Sequence, residues 1–229
     1  DISSIIKQKN DYYIGFKSSG LIQLKYLPDS KVKYAIQSIN IQSGIFCLMK
    51  DRFQDIIWVG ADGQGIYMYF TDEFSIENVL LDVPEYRVNN PVRALFLDHE
   101  QTLWIGTKGG GILRMMDFHP DRETLPQAER ILANNSALMD NSVYSFAPGR
   151  RNSLWIGTED GLNYYSYLTR RIEEFPVIAD GKKVKYVHSI CETNDSTLWV
   201  VSAGEGIVKI TLEASSSLPK VKSAQRFTL

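Results

Sequence analysis

The chain has 229 residues, a formal net charge of −2, 44% hydrophobic and 11% aromatic content, and two cysteines. This is ordinary globular composition, long enough to bury a large core as one all-β domain or two smaller domains, and its charge balance lacks the basic face that a nucleic-acid partner needs. No apolar run reaches the roughly 18 residues of a bilayer span. The opening Asp1-Ile2-Ser3-Ser4 has neither a signal pattern nor an initiator Met, as expected of an excised domain or mature segment.

Five units follow one another along the chain. Each opens on an apolar residue that heads an alternating run: Ile2, Ile45, Val92, Val143 and Val187. Eleven to thirteen residues later comes an aromatic anchor: Tyr13, Trp58, Trp104, Trp155 and Trp199, spaced by 45, 46, 51 and 44 residues. Every Trp of the chain therefore falls in one register. Period-two alternation predicts strands. Strand one of a unit is a run such as Val92–Leu97, followed by a polar turn such as Asp98–Gln101, and the anchor lies on strand two. Gly65, Gly111, Gly161 and Gly206 end turns that need positive φ and lead into strand three, as in Ile112–Met115. Strand four follows, as in Arg171–Phe175. Four short strands in about 45 residues is the grammar of a propeller blade.

The predicted fold is all-β: a β-propeller segment of five four-stranded antiparallel blades, at about 1–41, 42–88, 89–139, 140–184 and 185–229, with no helix longer than about two turns. The chain opens on an innermost strand and closes on an outermost one, Arg226–Leu229, so no blade is split between the termini. The array is expected to be part of a larger, seven-bladed ring; a closed five-bladed monomer is the alternative. The uncovered faces of an open array predict self-association, as in a homodimer.

The anchors are expected to pack between blades. Gly60, Gly106 and Gly157, two residues beyond the Trp, leave room for something large from the neighbouring blade, with an aromatic as the expected occupant. Two residues beyond each opening residue stand Ser4, Cys47, Ala94, Ser145 and Ser189, all small, as crowding of the innermost strands requires. Cys47 and Cys191 lie in strand-like runs and are expected to be buried free thiols rather than a disulfide.

The pattern Leu-Trp-Ile-Gly-Thr-x-x-Gly-Leu/Ile resembles the two-component regulator propeller repeat, and is most similar to the extracytoplasmic sensor region of hybrid two-component regulators of gut Bacteroidetes. Leu103–Thr107 and Leu154–Thr158 match its core, and the lead-ins Asn89-Asn90-Pro91-Val92 and Asp140-Asn141-Ser142-Val143 match its Asn-x-Val opening. Unit five departs, with Val201 in place of the glycine, and unit one replaces Trp with Tyr13. The resemblance implies a periplasmic location and perception of carbohydrate fragments. It also implies a full receptor with two propellers, a β-sandwich, a membrane helix, and kinase and regulator domains beyond this sequence.

No catalytic constellation, metal cluster or cofactor motif emerges. His99, His119 and His188 lack metal-ligand spacing, and His99 and His119 read as solvated side chains. Gly109-Gly110-Gly111 joins strands with no helix after it, which speaks against a phosphate cradle. One positional set stands out. Immediately after each opening residue come Ser3, Phe46, Arg93, Tyr144 and His188, and the lead-in loops add Asn90, Asn141 and Tyr186. Phe46, Asn90, Arg93, Asn141, Tyr144, Tyr186 and His188 are the candidate ligand-binding residues, at one mouth of the ring if strand one lines the axis. Aromatic faces with hydrogen-bonding groups suit an oligosaccharide ligand; the other reading packs these residues between blades. The functional expectation is a non-enzymatic sensing segment that works with the remaining blades and domains of its receptor. A protein-interaction scaffold is the alternative, and a propeller lyase or glycosidase a weaker third.

Overall fold

The computed structural model describes residues 1–73, 75–79, 87–119, 126–150, 152–194, 196–213 and 218–228, without the side chains of 78 and 79. Leu229, which the sequence reading places at the end of the final strand, lies outside the described residues. All regular structure among the described residues is strand. The strands form six sheets, five of them four-stranded with the strands in chain order. These are β-propeller blades.

The chain divides into two compact units, Asp1–Leu97 and Asp98–Leu229. The first holds β1 (Ile2–Gln8), β2 (Asp11–Phe16), β3 (Gly20–Tyr26) and β4 (Tyr34–Ile39), then β5 (Ile45–Lys50), β6 (Ile56–Ala61), β7 (Ile66–Phe70) and β8 (Ser75–Val79), and ends on β9 (Val92–Leu97). Its core gathers Tyr13, Leu21, Ile45, Ile57, Val59 and Tyr69, with the Tyr13 and Tyr69 rings 5.7 Å apart.

The second unit continues with β10 (Leu103–Thr107), β11 (Ile112–Met116) and β12 (Gln127–Ile131), then β13 (Val143–Gly149), β14 (Ser153–Thr158), β15 (Gly161–Ser166) and β16 (Arg171–Phe175). A two-stranded hairpin, β17 (Ile178–Ala179) and β18 (Lys182–Lys183), precedes β19 (Val187–Asn194), β20 (Thr197–Ser202), β21 (Gly206–Leu212) and β22 (Val221–Phe227). The sequence reading did not anticipate this hairpin. It turns on Asp180 and Gly181, both at positive φ, and Asp180 accepts the amide of Arg226 at 3.0 Å. Val177, Ala179 and Val184, around the hairpin, join the core with Trp155, Phe175, Val187, Leu198 and Ile210.

Trp58, Trp104 and Trp155 are fully buried, as the anchor role requires. Each indole N–H also finds a carboxylate. Trp58 donates to Asp51 at 2.9 Å, Trp104 to Asp98 at 2.8 Å, and Trp155 to Glu192, which belongs to the following blade, at 2.8 Å. Asp51 and Asp98 also hold the turn between strands one and two. The other oxygen of Asp51 takes the amides of Phe53 and Gln54, and that of Asp98 takes those of Glu100 and Thr102. A buried indole N–H without a partner is costly, so one carboxylate here serves both turn and anchor. At the other end of strand two, Gly65 and Gly111 have φ of 73° and 69°, as the tight turn demands.

Two packing expectations need correction. The space beside the strand-two glycines is taken by the β-branched opening residue of the next blade, not by an aromatic. A Cβ on Gly60 would lie 2.7 Å from Val92 Cγ1, on Gly106 2.8 Å from Val143 Cγ1, and on Gly157 2.6 Å from Val187 Cγ1. At Gly106 a ring lies close as well, that of Phe146 at 3.1 Å. The reason is geometric: a compact branched side chain fills a slot one Cβ deep, whereas a ring needs more. Both cysteines are free, but neither residue is buried as expected: Cys191 is exposed and Cys47 half-buried. Cys191 pairs with Trp199 on β20, and the side of this sheet that bears Val201, Ile207 and Phe227 is open, leaving Trp199 only half-buried.

Candidate functional site

A defect in the strand-one ladder positions the candidate residues. In β1, Ile2 pairs with Phe16 but Ser4 with Gly15; in β5, Ile45 pairs with Ala61 but Cys47 with Gly60. In β13, Val143 pairs with Thr158 but Ser145 with Gly157; in β19, Val187 pairs with Ser202 but Ser189 with Val201. Ser3, Phe46, Tyr144 and His188 are thus the extra residues of four β-bulges. A bulge leaves its extra residue out of the ladder and re-aims the side chain. Arg93 holds the equivalent place after Val92 in β9.

Small side chains at or next to the bulges pin strand one to the following blade. The Ser3 hydroxyl donates to the carbonyl of Ile45, the Ser145 hydroxyl to that of Val187 at 3.0 Å, and the Cys47 thiol to that of Val92 at 3.7 Å. Burial pushes the Cys47 thiol up to about 12, so it remains protonated and unreactive near neutral pH.

In the first unit, the Arg93 guanidinium carbon sits 3.5 Å from the centre of the Phe46 ring, a close cation–π contact. Asn90 is half-buried in the bend leading into β9. In the second unit, the Tyr144 and His188 rings lie 4.4 Å apart at 32°, and the Tyr144 hydroxyl donates to Glu159 at 2.7 Å. Tyr186 is exposed and has a φ of 51°; its amide donates to the Glu159 carbonyl at 2.8 Å and its carbonyl accepts from Ala203 at 3.0 Å. Asn141 is committed to its loops. Its carbonyl accepts the amides of Gly109 and Gly111 at 3.1 and 2.8 Å, and its side-chain oxygen accepts that of Ala133 at 2.8 Å.

The structure therefore brings together Phe46 with Arg93, and Tyr144 with His188. It sets Tyr186 beside the second pair through Glu159 and ties Asn141 into turn structure. Glu159, in the turn that closes β14, is the residue the sequence reading missed; a carboxylate in a strand-two turn is too common to stand out. The two pairs bring together aromatic rings, a guanidinium, an imidazole and a carboxylate-held hydroxyl; His188 is exposed, and Phe46, Arg93 and Tyr144 are half-buried. They can stack and hydrogen-bond. The remaining histidines lie elsewhere: His99 meets the Tyr167 ring edge-on with centres 4.5 Å apart, and His119 is 3.2 Å from Asp117. Among the described residues, no three His, Cys, Asp or Glu gather to hold a metal ion.

Comparison with known proteins agrees with this architecture. Residues 87–109 and 137–160 match the model of the two component regulator propeller family. A curated relative, Histidine kinase P4 of Formosa agariphila, is 27% identical over 185 residues, covering 79% of this chain and 13% of the relative. Among solved structures, the extracellular domain of a B. thetaiotaomicron protein described as a hybrid two component system superposes with a TM-score of 0.67 at 21% identity, over 96% of this chain and 28% of that one. PorZ of Porphyromonas gingivalis, a surface component of the type-IX secretion system, gives 0.66 at 16% identity, over 100% of this chain and 34% of that one. The WD40 β propeller domain of Doa1 gives 0.65 at 9% identity, over 98% of this chain and 68% of that one. The chain thus spans a minor part of the length of the histidine kinase, the B. thetaiotaomicron protein and PorZ.

Proposed function

We propose that this chain is a ligand-sensing propeller segment from the periplasmic part of a hybrid two-component regulator, and that the regulator responds to an oligosaccharide held without covalent chemistry. The observation that carries this reading is the repeated bulge of strand one. It presents a different stacking or hydrogen-bonding side chain from each blade on an otherwise repetitive frame. The two component regulator repeats, and the kinase and extracellular-domain relatives, support the receptor context. Membrane, kinase and regulator parts, and the remaining blades, are assigned to the rest of the protein. Sensing needs only a difference in ligand affinity between two arrangements of the receptor, because a ligand shifts an equilibrium by no more than that difference.

Saccharide rings stack on aromatic faces, and their hydroxyls pair with planar donors and with carboxylates. Arg93 laid on Phe46 supplies a guanidinium held in a fixed orientation; Tyr144 with His188 supplies a pair of rings, of which His188 is exposed. The test is calorimetry of the intact extracytoplasmic region against a panel of oligosaccharides. Binding is expected, and is expected to vanish when Phe46, Arg93, Tyr144 and His188 are replaced together by alanine. Binding that survives all four replacements refutes the site. Sugar turnover abolished by one carboxylate replacement refutes the non-enzymatic reading.

A second reading, a protein-interaction scaffold, draws on the open apolar face with Val201, Ile207 and Phe227. A fold like that of a secretion-system surface component is compatible with it. It gains ground if the intact region binds no saccharide of the panel.

A further inference from the structure

The seam between the first two blades, inside the first unit, buries acceptors that no protein donor meets. Gln8 pairs with Asp11 across the β1–β2 turn, and Tyr13 pairs with Gln23 across β2 and β3, so the four side chains share one side of the first blade. Asp55 and Tyr69 of the second blade stand against them: the Gln8 amide donates to Asp55 at 2.7 Å, and Tyr69 packs on Tyr13. The Gln23 amide donates to Asp11 at 2.6 Å. A carboxylate accepts and does not donate, so each amide turns its nitrogen to the carboxylate and leaves its oxygen over. Those two oxygens, Gln8 Oε1 and Gln23 Oε1, and the Tyr69 hydroxyl are buried without a partner among the described residues. The three residues are 3%, 1% and 2% exposed, a depth at which an unmet acceptor is costly. Burial, with the charge of Asp11 second, raises the Tyr69 hydroxyl above its ordinary range, so Asp11 lies near that oxygen too. Carboxylates also outnumber ammonium groups here. Asp11, Asp55 and Asp72 stand against Lys9, which bridges Asp55 and Asp72 at 2.8 and 3.0 Å, and against Lys25, two residues beyond Gln23 on β3.

We propose that this seam binds a calcium ion through Gln8 Oε1, Gln23 Oε1, the Tyr69 oxygen and the Asp11 carboxylate, with Asp55 beside them. Every donor is an oxygen, the set that a hard cation takes, and none is the nitrogen or sulfur that favours zinc or copper. Calcium accepts a mixed and irregular oxygen shell, whereas magnesium demands an octahedron. A water molecule donates to both amide oxygens but brings no charge. A cation meets the amides and also offsets the excess of carboxylates. The site is not a cluster of His, Cys or carboxylate ligands, because amide and phenol oxygens make up most of it. Lys9 and Asp72 are exposed at its rim, which gives an ion a way in from solvent. Since the donors come from both blades, uptake of the ion and docking of the two blades are linked.

The test uses the purified chain stripped of metal with EDTA. Equilibrium dialysis is expected to find a single calcium ion per chain at about millimolar free calcium, and calcium is expected to raise the melting temperature. Magnesium and potassium at equal ionic strength are expected to leave it nearly unchanged. Terbium serves as the optical stand-in for calcium. Its emission, excited through the seam tyrosines, is expected to appear on binding, to fall in Tyr69→Phe and to be displaced by calcium. Gln8→Leu and Gln23→Leu each remove one donor at similar volume. Each is expected to weaken calcium binding by about tenfold or more, no less than the loss of an outer-shell partner does. Should a leucine variant fail to fold, dialysis and terbium emission on the wild-type chain decide the matter. The proposal is overturned if the folded wild-type chain takes up no calcium at about 10 mM, well above the range of weak calcium sites. It is overturned equally if magnesium and potassium stabilise as much as calcium, if both leucine variants bind calcium as wild type does, or if crystals grown with calcium show a lone water between the two amides.

Discussion

Asp98 accepts the indole N–H of Trp104 at 2.8 Å and the hydroxyl of Tyr167 at 3.1 Å on the same carboxylate oxygen. Trp104 and Tyr167 come from successive blades, and Asp98 itself is buried. Turn, anchor and blade junction therefore share one side chain.

Replacing Asp98 by alanine leaves these buried donors without an acceptor. The expected loss of unfolding free energy is about 3 kcal/mol. Chemical denaturation checks the value. A cycle with Trp104→Phe should show the two replacements to be far from additive, since both break one bond. Additive losses would mean that the contact contributes little.

Gly157→Ala is expected to destabilise the second unit by about 3 kcal/mol, at the upper end for overpacking. The new methyl meets the side chain of Val187 and also its carbonyl, at 2.5 Å, which cannot step aside as a rotamer can. Thermal melting of this variant, beside a Gly181→Ala control, provides the check. Gly181 has open space around it, and its replacement costs only the strain of a positive φ.

The cysteines should differ sharply in reactivity. Cys191 is exposed and should react with a maleimide reagent in the folded chain, while Cys47 should react only after unfolding. Cys47 also links stability to pH. Its thiol is raised to about 12 by burial, above the ordinary value, so folding holds its proton more tightly than the unfolded chain does. The stability tied to this proton is complete below the ordinary thiol pKa of about 8.5 and declines above it, by up to about 1.4 kcal/mol per pH unit, until the folded thiol titrates. Cys47→Ser should flatten this alkaline slope. An unchanged slope would place its origin in other groups.

A bulge residue should be replaceable without harm to the fold. His188→Ala is expected to change stability by no more than about 0.5 kcal/mol, since the side chain is exposed. Val187→Ala, one residue earlier and fully buried, should cost about 2 kcal/mol. Denaturant melts of the pair test this contrast, and also show whether site variants can be used in binding experiments without unfolding the protein.

Much of the fold was legible because its signals are local. Anchors in register mark strand two, glycines mark the next turn, and alternating runs such as Val92–Leu97 and Arg171–Phe175 emerge as strands over those same residues. The bulges were not legible. Slipping one residue changes pairing without changing composition, so Phe46 and His188 stood out only as odd residues at a shared position. The occupant of the glycine slot depends on a contact some 30 residues away in sequence, and alternation alone does not fix it. Asp51 and Asp98 did carry a usable signal, an aspartate seven or six residues before the Trp, but Glu192 performs the same task for Trp155 from the next blade. No local pattern reveals that exchange. Cys191 was misjudged because alternation says which side of a strand a residue occupies, not whether that side is covered.

The bulge in strand one has a consequence for how such a chain can change. Ser3, Phe46, Arg93, Tyr144 and His188 share no size, charge or polarity, although the residues on either side of them are nearly interchangeable from blade to blade. A residue outside the hydrogen-bonded ladder whose side chain is exposed, as His188 is, carries little of the fold's stability, so substitutions there are close to free of structural penalty. The frame thus keeps one open position per blade, like a row of sockets, in which a new side chain can be tried without renegotiating the core. A protein that must track a changing set of ligands would gain most from that separation of frame and reader.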